Sequence, residues 1–180
     1  MISKQEFEQA QARAAQMLAK AGIAITAEER AGIEVADFGL NDLEHIGLEI
    51  ITYVNTERCC AKELLIFPGQ ICPEHRHPRL GDNPGKEETF RCRAGVVYLY
   101  VPGEAAAAPK GHVPAQRKAA FTVWHEIILT PGQQYTLMPN TLHWFQAGAD
   151  GAVVSEFSTK SIDEADIFTD PDIQRIPVVE

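Results

Sequence analysis

Positive charge is scarce in this chain. Its 180 residues carry 16 Lys and Arg against 25 Asp and Glu, a formal net charge of −9, which excludes the basic face that a nucleic-acid footprint needs. Long apolar runs are missing too. No stretch approaches the roughly 18 residues of a membrane-spanning helix, and the opening MISKQEFEQAQ lacks the apolar centre of a secretory signal. Cysteine is sparse: there are 4, two of them the adjacent Cys59 and Cys60, and no CxxC pair occurs. A reduced, cytoplasmic setting fits this pattern better than a disulfide framework. No internal repeat and no glycine-rich phosphate cradle is visible. What is there is ordinary globular composition, 45% hydrophobic and 23% charged, in a chain long enough to bury a core as one domain. The expectation is a soluble cytoplasmic protein that works on neither nucleic acid nor membrane.

The chain opens with helix signals. Ser3-Lys4-Gln5-Glu6 has the form of a capping box, and Phe7, Ala10, Ala14, Met17 and Leu18 follow at helical spacing up to the terminator Gly22. Thr26-Ala27-Glu28-Glu29 starts a second, shorter helix by the same device. Both are expected to pack on the outside of a sheet. From Ile33 the period changes to two. Runs at 47–54, 61–67, 88–100, 123–129, 134–138 and 152–158 are rich in Val, Ile, Tyr and Phe and are separated by Gly, Pro and Asn turn signals. Many short strands without intervening helices predict an antiparallel sandwich or small barrel. Residues 102–120 read as a long polar loop, a lid or an interface arm. The division is a helical extension over 1–32, a β-barrel over 33–160, and a short helix and tail over 161–180, all in one domain.

The densest chemistry lies in GQICPEHRHPRLGDNPGKEETFRCRAG, residues 69–95. His75 and His77 are two apart, so on a strand both imidazoles leave the same face. Glu88 follows on the next strand with the parity of Phe90 and Cys92, whereas Glu87 shares parity with Arg91 and Arg93. His143, in MPNTLHWF, has the parity of Phe145 after a turn. Three neutral imidazoles and one carboxylate make a divalent-metal site with positions left open. His45, His112 and His125 lack such partners and read as loop or surface residues. Arg76, Arg79, Arg91 and Arg93 flank the site and raise a phosphosugar alternative, but Arg91 and Arg93 have outward parity.

Gly69, His75, His77, Glu88 and Gly95 resemble the first motif of the cupin superfamily, with a longer spacer than usual between His77 and Glu88. Gly132, Pro139 and His143 resemble the second. PEHRHP, GKEETFRCR, TVWHEI, PNTLHWFQAG and DIFTDP together resemble, over nearly the whole chain, the D-lyxose isomerase family of small cupins. The resemblance implies an all-β, cupin-type β-barrel (jelly roll) with the two N-terminal helices outside. It further implies a manganese-type divalent metal on His75, His77, Glu88 and His143, with Co²⁺, Fe²⁺ or Zn²⁺ as other occupants of such ligands. The implied activity is isomerisation of D-lyxose to D-xylulose and of D-mannose to D-fructose, in a homodimer.

Such a reaction moves a proton from C2 to C1 through a cis-enediol, and it needs a base beside that edge. Glu156, a carboxylate within the apolar run VVSEF, is the candidate base; burial would raise its pKa. Lys62 shares the parity of Leu64 and Ile66, so its ammonium is expected to point inward and stabilise a developing oxyanion. Asp166 is expected to complete a proton relay or bind sugar hydroxyls, with Asp163 and Glu164 as local competitors. Trp144 and Phe145 are either a wall for the sugar or core packing. Two other function classes compete: a cupin Fe(II) dioxygenase, which needs no acid–base pair beside its metal, and a non-catalytic sugar-binding module with a closed metal site.

Overall fold

The computed structural model describes residues 2–179. Two helices come first, α1 (Lys4–Lys20) and α2 (Ala27–Ala31), and both begin with the expected capping box. Ser3 Oγ accepts from Glu6 N and Glu6 Oε2 accepts from Ser3 N; Thr26 and Glu29 repeat the exchange. Helix α1 buries Ala10, Ala14, Ala15 and Leu18. These are mostly small, so the helix lies close on the outer face formed by Ile33, Val35, Ile51, Leu65 and Val153.

Nine strands follow: β1 (Glu34–Ala36), β2 (Leu48–Asn55), β3 (Cys60–Ile66), β4 (Ile71–Arg76), β5 (Glu88–Val101), β6 (His125–Leu129), β7 (Gln134–Leu137), β8 (His143–Ser158) and β9 (Ile167–Phe168). They form one sheet in the order β1-β2-β3-β8-β4-β9, with β5 pairing β6, β7 and β8. All these ladders are antiparallel. Strand β8 pairs with β3, β4 and β5, so the sheet curls around it. The expected all-β, cupin-type barrel is thus present as a curled half-barrel, and its concave side holds Leu48, Ile50, Leu64, Phe90, Cys92, Phe145 and Val154 as the main core.

The long strands keep their apolar side inward by changing phase. Gly95 pairs with Ala152 and Val97 with Ala147, leaving Val96 opposite the four residues 148–151. Inward positions on β8 thereby pass from odd (His143, Phe145, Ala147) to even (Ala152, Val154, Glu156). Gly95 is required at this crossing. Its φ is +73°, and a Cβ there would meet the Gly151 carbonyl oxygen at 1.9 Å.

The segment 102–124 is a docked arm. Residues 115–120 form a 3-10 helix, and Val113, Phe121, Val123 and Trp124 pack with Ile71, Tyr100 and Trp144 on the outer side of the barrel. Trp144 stacks on Tyr100 with centroids 3.9 Å apart; it belongs to the packing of this arm rather than to a sugar wall. The chain after β8 makes a 3-10 turn at Asp163–Ala165, adds β9 to the edge of β4, and returns to bridge Ile2 with Val179.

Candidate active site

His75 and His143 are direct partners across the β4–β8 ladder. A register slip between Cys72 and His75 makes this possible. Cys72 belongs to the inner core and Ile71 to the outer cluster, so strict alternation would turn His75 outward. The bulge restores it to the inside. His77 follows just after β4 ends, and Glu88 opens β5 on the facing wall. All four side chains are buried.

The rings are oriented from behind. His75 Nδ1 bonds the Pro73 carbonyl at 2.8 Å and His143 Nδ1 the Thr141 carbonyl at 3.0 Å. His77 Nδ1 bonds Asp166 Oδ1 at 2.5 Å. Carbonyl oxygens accept only, so Nδ1 of His75 and His143 carries the proton and Nε2 is left as a lone-pair donor. Donor nitrogens of the three imidazoles lie within 4.8 Å of one another. Glu88 Oε1 is 3.0 Å from His77 Nε2 and 3.2 Å from His143 Nε2. The second contact is close without hydrogen-bond geometry, and His143 Nε2 is a buried nitrogen with no hydrogen-bond partner among the described residues. A buried lone-pair nitrogen with no hydrogen-bond partner, set beside a carboxylate, is suited to a cation. The residues therefore fit a divalent metal, with three imidazole nitrogens and one carboxylate as ligands.

Charge around this set is dense. Lys86 Nζ sits 2.6 Å from Glu88 Oε2 and 3.1 Å from Glu156 Oε1. Lys62 Nζ bonds Asp163 Oδ2 at 2.6 Å and Ser161 Oγ at 2.9 Å. Arg175 reaches in from the tail, 2.5 Å from Glu34 Oε1 and 3.4 Å from Asp163 Oδ2. Burial pushes His77 down, but Glu88 beside it and the Asp166 hydrogen bond outweigh that and raise it to about 9. Burial and its histidine neighbours hold His75 well below its usual range. Burial opposes the charge on Glu88, yet Lys86 and His77 hold it well below the ordinary carboxylate value. Burial likewise opposes the charge on Lys86, and Glu156 and Glu88 overcome it, so its ammonium is held well above the usual lysine range.

Every site residue expected from sequence meets at this one place. Lys62, His75, His77, Glu88, Glu156 and Asp166 line one pocket, with His143 behind them against His75 and Phe90. Their contacts refine the expectations. Asp166 touches His77, and Asp163 is the carboxylate that holds Lys62. Two groups went unrecognised in sequence, Lys86 and Arg175. Lys86 carried a usable signal, because it shares the parity of Glu88; Arg175 carried none, because only the folding back of the tail brings it here. Of the flanking arginines, Arg76 bonds Asn140, Arg79 the Gly81 carbonyl and Arg91 Gln134, and none lines the pocket.

In overall shape the chain is similar to L-ribose isomerase from Cellulomonas parahominis, with a TM-score of 0.81 at 18% identity over 96% of this chain and 94% of that one. It is also similar to the L-ribose isomerase of Acinetobacter sp. DL28 in complex with L-ribose, at a TM-score of 0.80 and 16% identity, covering 96% and 94%. At such identities the likeness concerns the fold. Sequence relatives are much nearer. A D-lyxose ketol-isomerase of Thermofilum sp. (strain ex4484_79) is 62% identical over 99% of both chains. A D-lyxose/D-mannose isomerase of Thermosediminibacter oceani is 60% identical over 100% of this chain and 99% of its own. No described helix is long and apolar enough to cross a membrane. The family model described as D-lyxose isomerase matches residues 5–180, and with these relatives it makes the chain a member of the D-lyxose isomerase family.

Proposed function

We propose that the protein is a metal-dependent aldose–ketose isomerase that interconverts D-lyxose and D-xylulose and also acts on D-mannose and D-fructose. The observation that carries the reading is the placement of Glu156. It is a buried carboxylate on the pocket wall, joined through Lys86 to Glu88 and so to the three-histidine cluster. The names of the relatives, one of them a D-lyxose/D-mannose isomerase, support the substrate class.

His75, His77, Glu88 and His143 would hold the ion. A divalent cation there supplies Lewis-acid stabilisation of the charge that develops on the sugar oxygens. We take Mn²⁺ as the working ion; the same ligands accept Co²⁺, Fe²⁺ or Zn²⁺, and availability decides among them. Glu156 takes the proton from C2 of the open-chain aldose and returns it to C1, passing through a cis-enediol while a proton moves from the C2 hydroxyl oxygen to the C1 oxygen. Lys86 spends two of its three N–H donors on Glu88 and Glu156, and Lys62 spends two on Asp163 and Ser161. Each lysine keeps one donor for a sugar oxygen, where its charge stabilises the enediolate. Asp166 acts through His77 as a positioning group. The working assembly is a homodimer in the cytoplasm.

The test is ketose formation from D-lyxose with Mn²⁺, before and after EDTA, with dissolved oxygen followed in the same vessel. Metal-dependent D-xylulose formation without oxygen uptake supports the isomerase. Oxygen consumption would turn the reading to the dioxygenase, and tight metal binding without turnover to a sugar-binding module.

A further inference from the structure

Behind the barrel wall, on the side away from the pocket, lies a further buried carboxylate that the proposed reaction does not use. Glu74 immediately precedes His75 and is 1% exposed. Its Oε2 accepts from the backbone N–H groups of Thr122 (2.6 Å) and Val123 (2.9 Å). Its Oε1 accepts from the hydroxyls of Thr122 (2.8 Å) and Thr169 (2.7 Å). Its own carbonyl accepts from Thr169 N at 3.0 Å. Four donors, from two segments far apart in sequence, fill the acceptor sites of this one carboxylate and so tie both segments to β4.

What those segments hold is informative. Val123, gripped by Glu74, offers its carbonyl to Trp144 Nε1 at 2.7 Å, and Trp144 is the neighbour of His143. Thr169 follows Phe168, whose ring stacks on His75 with centroids 5.3 Å apart. Three positions before Thr169 is Asp166, which holds His77. The neighbours or supports of all three imidazoles thus converge on one carboxylate outside the pocket.

We propose that Glu74 is a positioning residue for the three-histidine centre, bracing β4, β8 and β9 from behind through the arm at Thr122–Val123. The inference rests on the metal-centre reading and extends it to a residue that touches neither metal nor sugar. Glu74→Gln replaces an acceptor of four hydrogen bonds by an amide that cannot accept all four. Glu74 bonds none of the ligands directly, so its loss is expected to lower metal affinity by an amount near the lower end of the roughly 10–100-fold that partners of the ligands themselves carry.

The test compares the wild type with Glu74→Gln, Thr169→Val and Leu18→Ala, the last a buried change under α1 that perturbs stability away from the site. Two quantities are read well below the melting temperature: the Mn²⁺ dissociation constant, and the ¹⁵N imidazole resonances of His75 and His143 in metal-free protein. Glu74→Gln is expected to weaken Mn²⁺ binding at least tenfold and to shift or broaden both imidazoles. Thr169→Val is expected to do so less, and Leu18→Ala not at all. Unchanged imidazole signals with unchanged Mn²⁺ affinity would overturn the proposal, as would an equal effect from Leu18→Ala. A wild type that binds no Mn²⁺, but whose imidazole signals still respond to Glu74→Gln, sinks the metal reading and supports the brace. If Glu74→Gln does not fold, Thr169→Val and Thr122→Val carry the same comparison.

Discussion

His75 and His143 face each other across the β4–β8 ladder with ring centroids 4.3 Å apart, and each is fixed by the carbonyl two residues before it, Pro73 and Thr141. Their orientation is therefore written into the strands themselves. His77 differs, because its outer nitrogen depends on the side chain of Asp166.

Asp166→Asn keeps an acceptor near His77 but removes the charge. The expected result is a 10–100-fold loss of metal affinity, with activity largely restored at high Mn²⁺. Titration calorimetry and metal-dependence curves check it. Direct loss of activity at saturating metal would instead put Asp166 on the sugar.

Metal binding should release a proton at neutral pH. With His77 raised to about 9 in the metal-free protein, an ion that takes its Nε2 must first displace hydrogen. Affinity is then expected to rise with pH up to about 9 and to level off above it. Calorimetry in buffers of different ionisation enthalpy measures the proton count directly.

Glu156→Gln leaves the shape of the pocket and removes the proposed base. The turnover number is expected to fall roughly 10²–10⁴-fold while metal content stays at the wild-type level. Exchange of the C2 hydrogen of D-lyxose with deuterated solvent should fall in parallel. Full exchange in the variant would move the base role to another group.

Glu49 offers a test of stability against pH. It is fully buried, its Oε2 lacks a hydrogen-bond partner among the described residues, and burial raises its carboxyl well above the usual value despite Gln70. A carboxyl raised in the folded state stabilises below the unfolded pKa, and that contribution is lost as pH rises through the folded one. Glu49→Gln should match the wild type near pH 4 and become relatively more stable as the pH rises above it. Each kcal/mol gained appears as about 2–4 °C in melting temperature.

Gly95→Ala tests the phase change of the long strands. The new methyl would collide with the Gly151 carbonyl at a positive φ, so a loss of about 3 kcal/mol or more is expected in chemical denaturation. A near-neutral result would mean that β5 and β8 can cross without that contact.

Much of this molecule was legible in its sequence, for reasons that were local. Two capping boxes announced two helices, and alternation placed Glu88 with Phe90 and Lys62 with Leu64, as the barrel has them. Shared parity of His75 and His77 gave the centre its axis. Reading failed where the cause lies far along the chain. The bulge between Cys72 and His75 depends on pairing with β8. Residues 102–120 read as a polar loop, a lid or an interface arm, because the partners that dock this arm, Tyr100, Trp144 and Glu74, are recognisable as such only in three dimensions. Arg175 enters the pocket because the tail returns past Phe38, where Gln174 N donates to its carbonyl at 2.9 Å. Lys86 stood in a Gly-rich turn and was passed over, although its parity with Glu88 was visible.

Strand β8 brings His143 and Glu156 together and is the common partner of β3, β4 and β5. On a ribosome it is made late, so a nascent chain stopped before residue 143 would display β4 with nothing to close against. On the reading proposed above, metal capture could then begin only once β8 has closed against β4, and it would report when the barrel wall is complete.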